Sequence, residues 1–243
     1  MPNYFLRKLR HGARLDEDDA ERLDALIRAP VEVAAGTDVI QAAEKPANVH
    51  LVIEGFAQRY KIVEDGGRQI VGLLVPGDFC DLHVAILGRM DQSIATLTRC
   101  RIVEIPHETI HDLTANYPGI QRALWWATLV DEAVLREWLT NMGRRQARAR
   151  LAHFLCEIET RLSAIGLSEN GEFRLPLTQS DMADILGISA VHVNRVLQEL
   201  RGEGLIVIQG HRIAIPNVDR LREFAEFVPD YLHLEPPSGP SRR

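Results

Sequence analysis

Between Val31 and Ile105 the apolar residues come in short β-branched runs: VEVAAGT, VHLVIEG, AQRYKIV, RQIVGLLV, SIATLT and CRIVEI. Gly36, Gly55, Asp65-Gly66-Gly67 and Pro76-Gly77 punctuate them. Many short strands at this spacing predict a double-sheet jelly roll. Asp65-Gly66-Gly67 lies between two runs and predicts a hairpin whose successive residues tolerate positive φ. Ahead of the roll, Leu15, Leu23, Leu26 and Ile27 stand among charges from Asp16 to Ile27, which predicts a short amphipathic helix stopped at Ala29-Pro30.

After Pro106 the period changes. A short helix is expected to about Asn116, and Tyr117-Pro118-Gly119 restarts the chain. A long helix then runs from Ile120 to about Met142 with two apolar stripes. One holds Ile120, Leu124, Ala127, Val134, Leu135 and Trp138, the other Trp125, Leu129 and Leu139. Two stripes need two partners. The simplest arrangement packs one on the β domain and the other on the same helix of a second subunit, with Leu124, Ala127, Val134 and Trp138 as the dimerisation candidates. ARLAHFLCEIETRL is a further helix, and ENGEFRLPLT a short strand and turn.

The stretch Leu177–Leu205 reads as two helices joined by a tight turn, the second built to enter a DNA groove. Thr178 precedes a first helix over Gln179–Leu186, where its hydroxyl accepts orphan N–H groups. Met182, Ile185 and Leu186 share one face, and Ala183 is small enough for a close helix crossing. Gly187 supplies the positive φ that ends the helix, Ile188 plugs the turn and Ser189 caps the second helix. Val193, Val196, Leu197 and Leu200 recur at helical spacing and face inward, leaving Ala190, Val191, His192, Asn194, Arg195 and Gln198 outward. LIVI and RIAI across Gln209-Gly210-His211 form a hairpin, so the helix pair carries a wing. The DNA-contact candidates are Thr178, Gln179, Ser189, Ala190, Val191, His192, Asn194, Arg195, His211 and Arg212.

The organisation expected is a sensor domain over 1–118, a dimerisation helix over 119–143, a DNA-binding domain over 144–230 and a mobile Pro/Ser/Gly-rich tail over 231–243. In PGDFCDLHVAILGRMDQSIATLT a Gly-Asp turn leads to a short helical insert; this is the expected effector site, with Gly77, Asp78, Phe79, Asp91, Gln92 and Ser93 as its candidates.

Composition changes this picture little. The 46% hydrophobic and 26% charged content is that of a globular chain, and the charged N-terminus has neither an export signal nor a membrane span, which implies a cytoplasmic protein. Cys80, Cys100 and Cys156 are far apart and odd in number, against a disulfide framework or a cysteine metal cluster. The net charge of −6 argues against nucleic-acid binding only globally: acids concentrate early, as in DEDDAERLD, while GRRQARAR from Gly143 to Arg150 is a basic block. His107-Glu108-Thr109-Ile110-His111 fits the zinc-peptidase pattern. A zinc site needs a long helix and a third ligand, and here Pro106 and Tyr117-Pro118 bound a short one, with Glu132 the only third ligand proposed. An enzyme is therefore not expected. The remaining alternative, a protein-interaction module, would lack the steep salt dependence of phosphate binding.

The order of parts, with Pro76-Gly77-Asp78-Phe79 in the roll and LGISAVHVNRVLQELRGEGLI near the end, resembles the Crp/Fnr family of bacterial transcription regulators over nearly the whole chain. The resemblance implies an α+β protein: an N-terminal jelly roll of the cyclic-nucleotide-binding kind, a long dimerisation helix and a C-terminal winged helix-turn-helix. It implies a homodimer on a pseudo-palindromic duplex, with RNA polymerase as a further partner. Arg195 matches the arginine that reads guanine, and Ser189, His192 and Asn194 fall where relatives place phosphate or base contacts. Val191 replaces a frequent glutamate, so an apolar contact to a thymine methyl is expected there. Cyclic-AMP-binding members carry an arginine followed by Ser or Thr; this chain has Asp91-Gln92-Ser93, so cyclic AMP is not expected as effector. The N-terminal cysteine cluster of iron–sulfur members is also missing, since the first cysteine is Cys80. No cofactor is expected, and the effector is left undefined.

Overall fold

The β-branched runs form strands β1 (Val31–Val33), β2 (Asp38–Ile40), β3 (Asn48–Glu54), β4 (Ala57–Ile62), β5 (Arg68–Leu74), β6 (Ser93–Thr96) and β7 (Cys100–Pro106). In the computed structural model, which describes residues 3–234, they make sheets of order β1-β7-β3 and β2-β6-β4-β5. Alternation along the strands sends Val49 and Leu51 of β3, Val103 and Ile105 of β7, Ile40 of β2 and Ile94 of β6 into one shared core. That is the expected double-sheet roll. In the turn between β4 and β5, Gly66 takes a φ of +85°. Gly67 does not adopt positive φ; its N–H is held by the Asp65 side chain at 2.8 Å.

Contacts group the chain into two compact units. Of the described residues, the first holds 3–59, 73–132 and 233–234; the second holds Tyr60–Gly72 and Ala133–Leu232.

The first unit opens with a helix that the sequence reading missed, α1 (Tyr4–Gly12), capped by Asn3, whose Oδ1 accepts the Leu6 N–H at 2.8 Å. Its charges hide an amphipathic period that buries Phe5 and Leu9. Then come α2 (Glu17–Leu26), capped by Asp16, α3 (Val84–Leu87) and α4 (His107–Asn116). Helix α5 (Pro118–Arg144) begins here, with Ile120, Ala123, Leu124 and Ala127 in the same core as the sheets.

The second unit holds the rest of α5, then α6 (Ala147–Ile165), β8 (Ser168–Glu169), β9 (Glu172–Arg174), α7 (Gln179–Leu186), α8 (Ala190–Gly202), β10 (Val207–Gln209), β11 (Arg212–Ala214) and α9 (Val218–Ala225). Its sheet has the order β10-β11-β9-β8, so the expected wing hairpin is extended by two strands from ahead of the helix pair.

Three expectations need correction. The apolar stripe assigned to dimerisation is covered by its own chain. Leu124 and Ala127 lie in the first core, Val134 is half-buried, and Trp138 donates to both carboxylate oxygens of Glu157 at 3.1 and 3.0 Å. The uncovered stripe is the other one, Trp125, Leu129 and Leu139, at 66%, 56% and 73% exposure, with Leu135 beside it. Second, the basic block is mostly spent within the chain. Arg145 bonds Glu137 and Asn141, Arg148 pairs with Glu203 and Glu199, and Arg150 donates to the carbonyls of Leu186, Met142 and Arg145. Third, the tail does not loosen at residue 231. A 3-10 turn spans Pro229–Leu232, Tyr231 donates its hydroxyl to Glu157 at 2.9 Å, and Leu232 is buried. The rest of the expected tail, 235–243, lies outside the described residues.

Candidate nucleic-acid interface

Local chemistry builds the reading element. At the start of α7, Thr178 Oγ1 accepts the Asp181 N–H at 3.1 Å, while Asp181 Oδ2 accepts the Thr178 N–H at 3.0 Å, a reciprocal cap. Burial would push the Asp181 carboxyl up, but bonds from Thr178 and from the Arg68 guanidinium overcome it and hold it below the usual carboxylate range. Gly187 ends α7 at φ +63°, a conformation that costs other residues strain. Ser189 Oγ then accepts the His192 N–H at 3.2 Å and starts α8. Val193, Val196, Leu197 and Leu200 are buried under it, as their spacing predicts.

The opposite face is open. Ala190, Val191, Asn194, Arg195 and Gln198 are exposed, Val191 by 83%, and His192 is half-buried. Asn194 donates to Gln179 Oε1 at 3.2 Å, which ties the outer faces of α8 and α7 together. Thr178, Gln179 and Ser189 are exposed beside them, and His211 and Arg212 are exposed on the wing. Every candidate for DNA contact is thus solvent-accessible at least in part.

The sheet adds a residue that sequence reasoning missed. Arg174 on β9 sits directly opposite Arg212 on β11, and Arg212 is opposite Gln209 on β10. Like charges at such positions repel. This row lines an open groove of about 870 Å³ together with Glu169, Glu172, Phe173 and His211. The only sequence signal for Arg174 was its place in a short strand; its pairing with the wing was not visible.

The effector candidates are largely engaged within the chain. Gly77, at φ +91°, lies so close to α1 that a Cβ would sit 3.0 Å from the Tyr4 carbonyl oxygen. Asp78 is buried, pairs with Lys8 and accepts the Val75 N–H at 2.9 Å. Phe79 meets Phe5 edge-on with centroids 5.4 Å apart. These three residues therefore anchor α1. Asp91 is exposed, Gln92 half-buried, and Ser93 accepts the Ala42 N–H at 3.0 Å. Further polar groups of the roll are enclosed nearby in sequence. Arg59 donates to the Phe79 and Cys80 carbonyls at 2.6 and 2.8 Å and to Asp131 at 2.8 Å. His50 Nδ1 lies 2.9 Å from Asp81 Oδ2, and Gln58, almost fully buried, has no partner for its Oε1 among the described residues. Burial pushes His83 below its ordinary value, helped by Arg59.

Among the described residues no three His, Cys, Asp or Glu side chains are placed to hold a metal ion, so His107, Glu108, His111 and Glu132 do not assemble a zinc centre. All three cysteines are buried and free, and burial pushes the Cys156 thiol up to about 12. No described helix is long and apolar enough to cross a membrane.

The same parts recur in known proteins. Residues 149–224 match the Crp-like helix-turn-helix domain and residues 30–117 the cyclic nucleotide-binding domain. The transcriptional activator protein FnrL of Cereibacter sphaeroides is 34% identical over 224 residues, 89% of each chain. The chain belongs to the Crp/Fnr family. Another relative, the fumarate and nitrate reduction regulatory protein of Escherichia coli, is 25% identical over 87% of this chain and 84% of its own. Among solved structures, FixK2 from Bradyrhizobium japonicum superposes with a TM-score of 0.73 at 23% identity, covering 81% of this chain and 96% of that one. CLP of Xanthomonas campestris, described as c-di-GMP responsive, gives 0.64 at 18% identity, covering 83% and 100%. This Crp/Fnr protein is a transcription regulator whose DNA-binding element is the helix pair α7–α8.

Proposed function

We propose that the protein works as a homodimer that lays two copies of α8 along a pseudo-palindromic duplex, with half-sites about one helical turn apart. The observation that carries this is the capped, uncovered outer face of α8. Arg195 forks onto the O6 and N7 of a guanine, Val191 meets a thymine methyl, and the Ser189 and Thr178 ends sit on phosphates. The exposed Trp125, Leu129 and Leu139 stripe supports pairing with a second α5. RNA polymerase is the further partner, in keeping with the activator role that FnrL's name states, and the work is done in the cytoplasm.

The roll passes on a signal other than cyclic AMP. An acid and an amide, Asp91 and Gln92, stand where a cyclic phosphate needs a cation, and Arg59 is already committed to Asp131 and two carbonyls. No cofactor is required by this reading. In vitro selection of bound duplexes, with and without cyclic AMP, tests all of it. The expected pool is a single two-fold symmetric site, unchanged by the nucleotide. A pool without symmetry, or one that appears only with cyclic AMP, overturns the reading.

A further inference from the structure

Residues 60–72, the end of β4, the turn and the start of β5, fall within the match to the cyclic nucleotide-binding domain, yet they group with the second unit. Two side chains just past the hairpin's turn meet α7. Arg68 donates through Nε to Asp184 Oδ2 at 2.7 Å and through Nη2 to Asp181 Oδ1 at 2.7 Å. One guanidinium thus bridges two carboxylates one turn apart on α7, an arrangement a lysine, as a point charge, does not reproduce. Gln69 donates to the Asp184 carbonyl, one of the groups a helix leaves unsatisfied at its C-terminus.

We propose that Arg68 and Gln69 are positioning residues for DNA reading: they hold α7 in the attitude that presents Thr178, Gln179 and the outer face of α8. The hold leaves that surface free. Asp181 and Asp184 are partly or fully buried, while Gln179 and Ser180 next to them remain exposed. It also reaches the cap itself, because the Asp181 carboxylate that Arg68 grips is the one that accepts from Thr178. Asn194 carries the constraint on to α8 through Gln179. A hairpin encoded within the sensor domain thereby sets the geometry of the reader, so a shift in the hairpin is felt at the bases. This inference rests on the DNA-binding reading above.

The test is duplex binding by the full-length protein and its Arg68→Ala, Arg68→Lys and paired Arg68→Asp with Asp184→Arg variants. Arg68→Ala should weaken the selected duplex about tenfold while random-sequence affinity and sedimentation stay unchanged, and the α7 amides should exchange hydrogen faster. Arg68→Lys, which keeps the charge but loses the fork, should fall between, and serves if the alanine variant folds poorly. The charge reversal, which restores the pair with position 184 but not the one with Asp181, should recover part of the loss. Unchanged or tighter specific binding by Arg68→Ala and Arg68→Lys, or no recovery on reversal, overturns the inference. A wild-type protein that binds no duplex would instead sink the DNA reading itself.

Discussion

Two uncovered helix faces, one on α5 and one on α8, differ in kind. The outer stripe of α5 shows Trp125, Leu129 and Leu139, whereas the outer face of α8 shows Asn194, Arg195 and Gln198 around a lone Val191. Apolar surface in water favours another apolar surface, and a helix repeating such residues is best covered by its own like. A row of hydrogen-bond donors with one aliphatic contact favours the edges of bases. The contrast teaches that exposure alone says little; the chemistry of the exposed row chooses the partner.

The sharpest way to break this comparison is to make the α5 stripe resemble the α8 face. Leu129→Glu with Leu139→Glu should leave a folded monomer by sedimentation. Each buried leucine contributes about 1.5–3 kcal/mol and counts twice in a symmetric interface, so duplex affinity should fall at least about 100-fold. A dimer that persists would mean that another surface pairs the subunits. Next in size, Arg195→Ala should cost about 1–3 kcal/mol of specific affinity and relax one base preference while sparing dimerisation. An unaltered footprint would remove Arg195 from the reading role.

The last probe is the inner face of α5, which holds α6. His153, buried on α6, lies 3.0 Å from Asn141 Nδ2 and 3.2 Å from Glu137 Oε1. Burial and then Arg145 push it down to about 4, against Glu137. The unfolded chain takes up this proton near 6.5 and the folded one only near 4, so stability is full above 6.5 and is lost as pH falls towards 4. The slope reaches at most about 1.4 kcal/mol per pH unit. Glu157, pushed up by burial, acts in the opposite sense. The difference in denaturation midpoint between wild type and His153→Gln across that window isolates the histidine. Parallel pH profiles would assign the acid sensitivity elsewhere.

How legible each part was follows from how local its cause is. The helix pair was readable nearly to the residue because Thr178, Gly187 and Ser189 act on backbone groups within three or four positions. The roll's strands were readable for the same reason, through alternation. Long-range partners defeated the reading. Gly77-Asp78-Phe79 looks like an effector turn until Lys8 and Phe5 arrive from a helix whose charges hid its period. The choice between the two α5 stripes depended on which one the rest of the chain would reach, and periodicity is blind to that. Arg68 gave no signal because its partners lie 113 and 116 residues further along.

Strand β9 pairs with β11 and runs, through Leu175, Pro176 and Leu177, straight into the Thr178 cap. Wing and helix pair are therefore one stiff frame, with the outward side chains of α8 as its interchangeable type. Recasting Val191, Asn194 and Arg195 should retarget the regulator to a different address without disturbing the press that prints it.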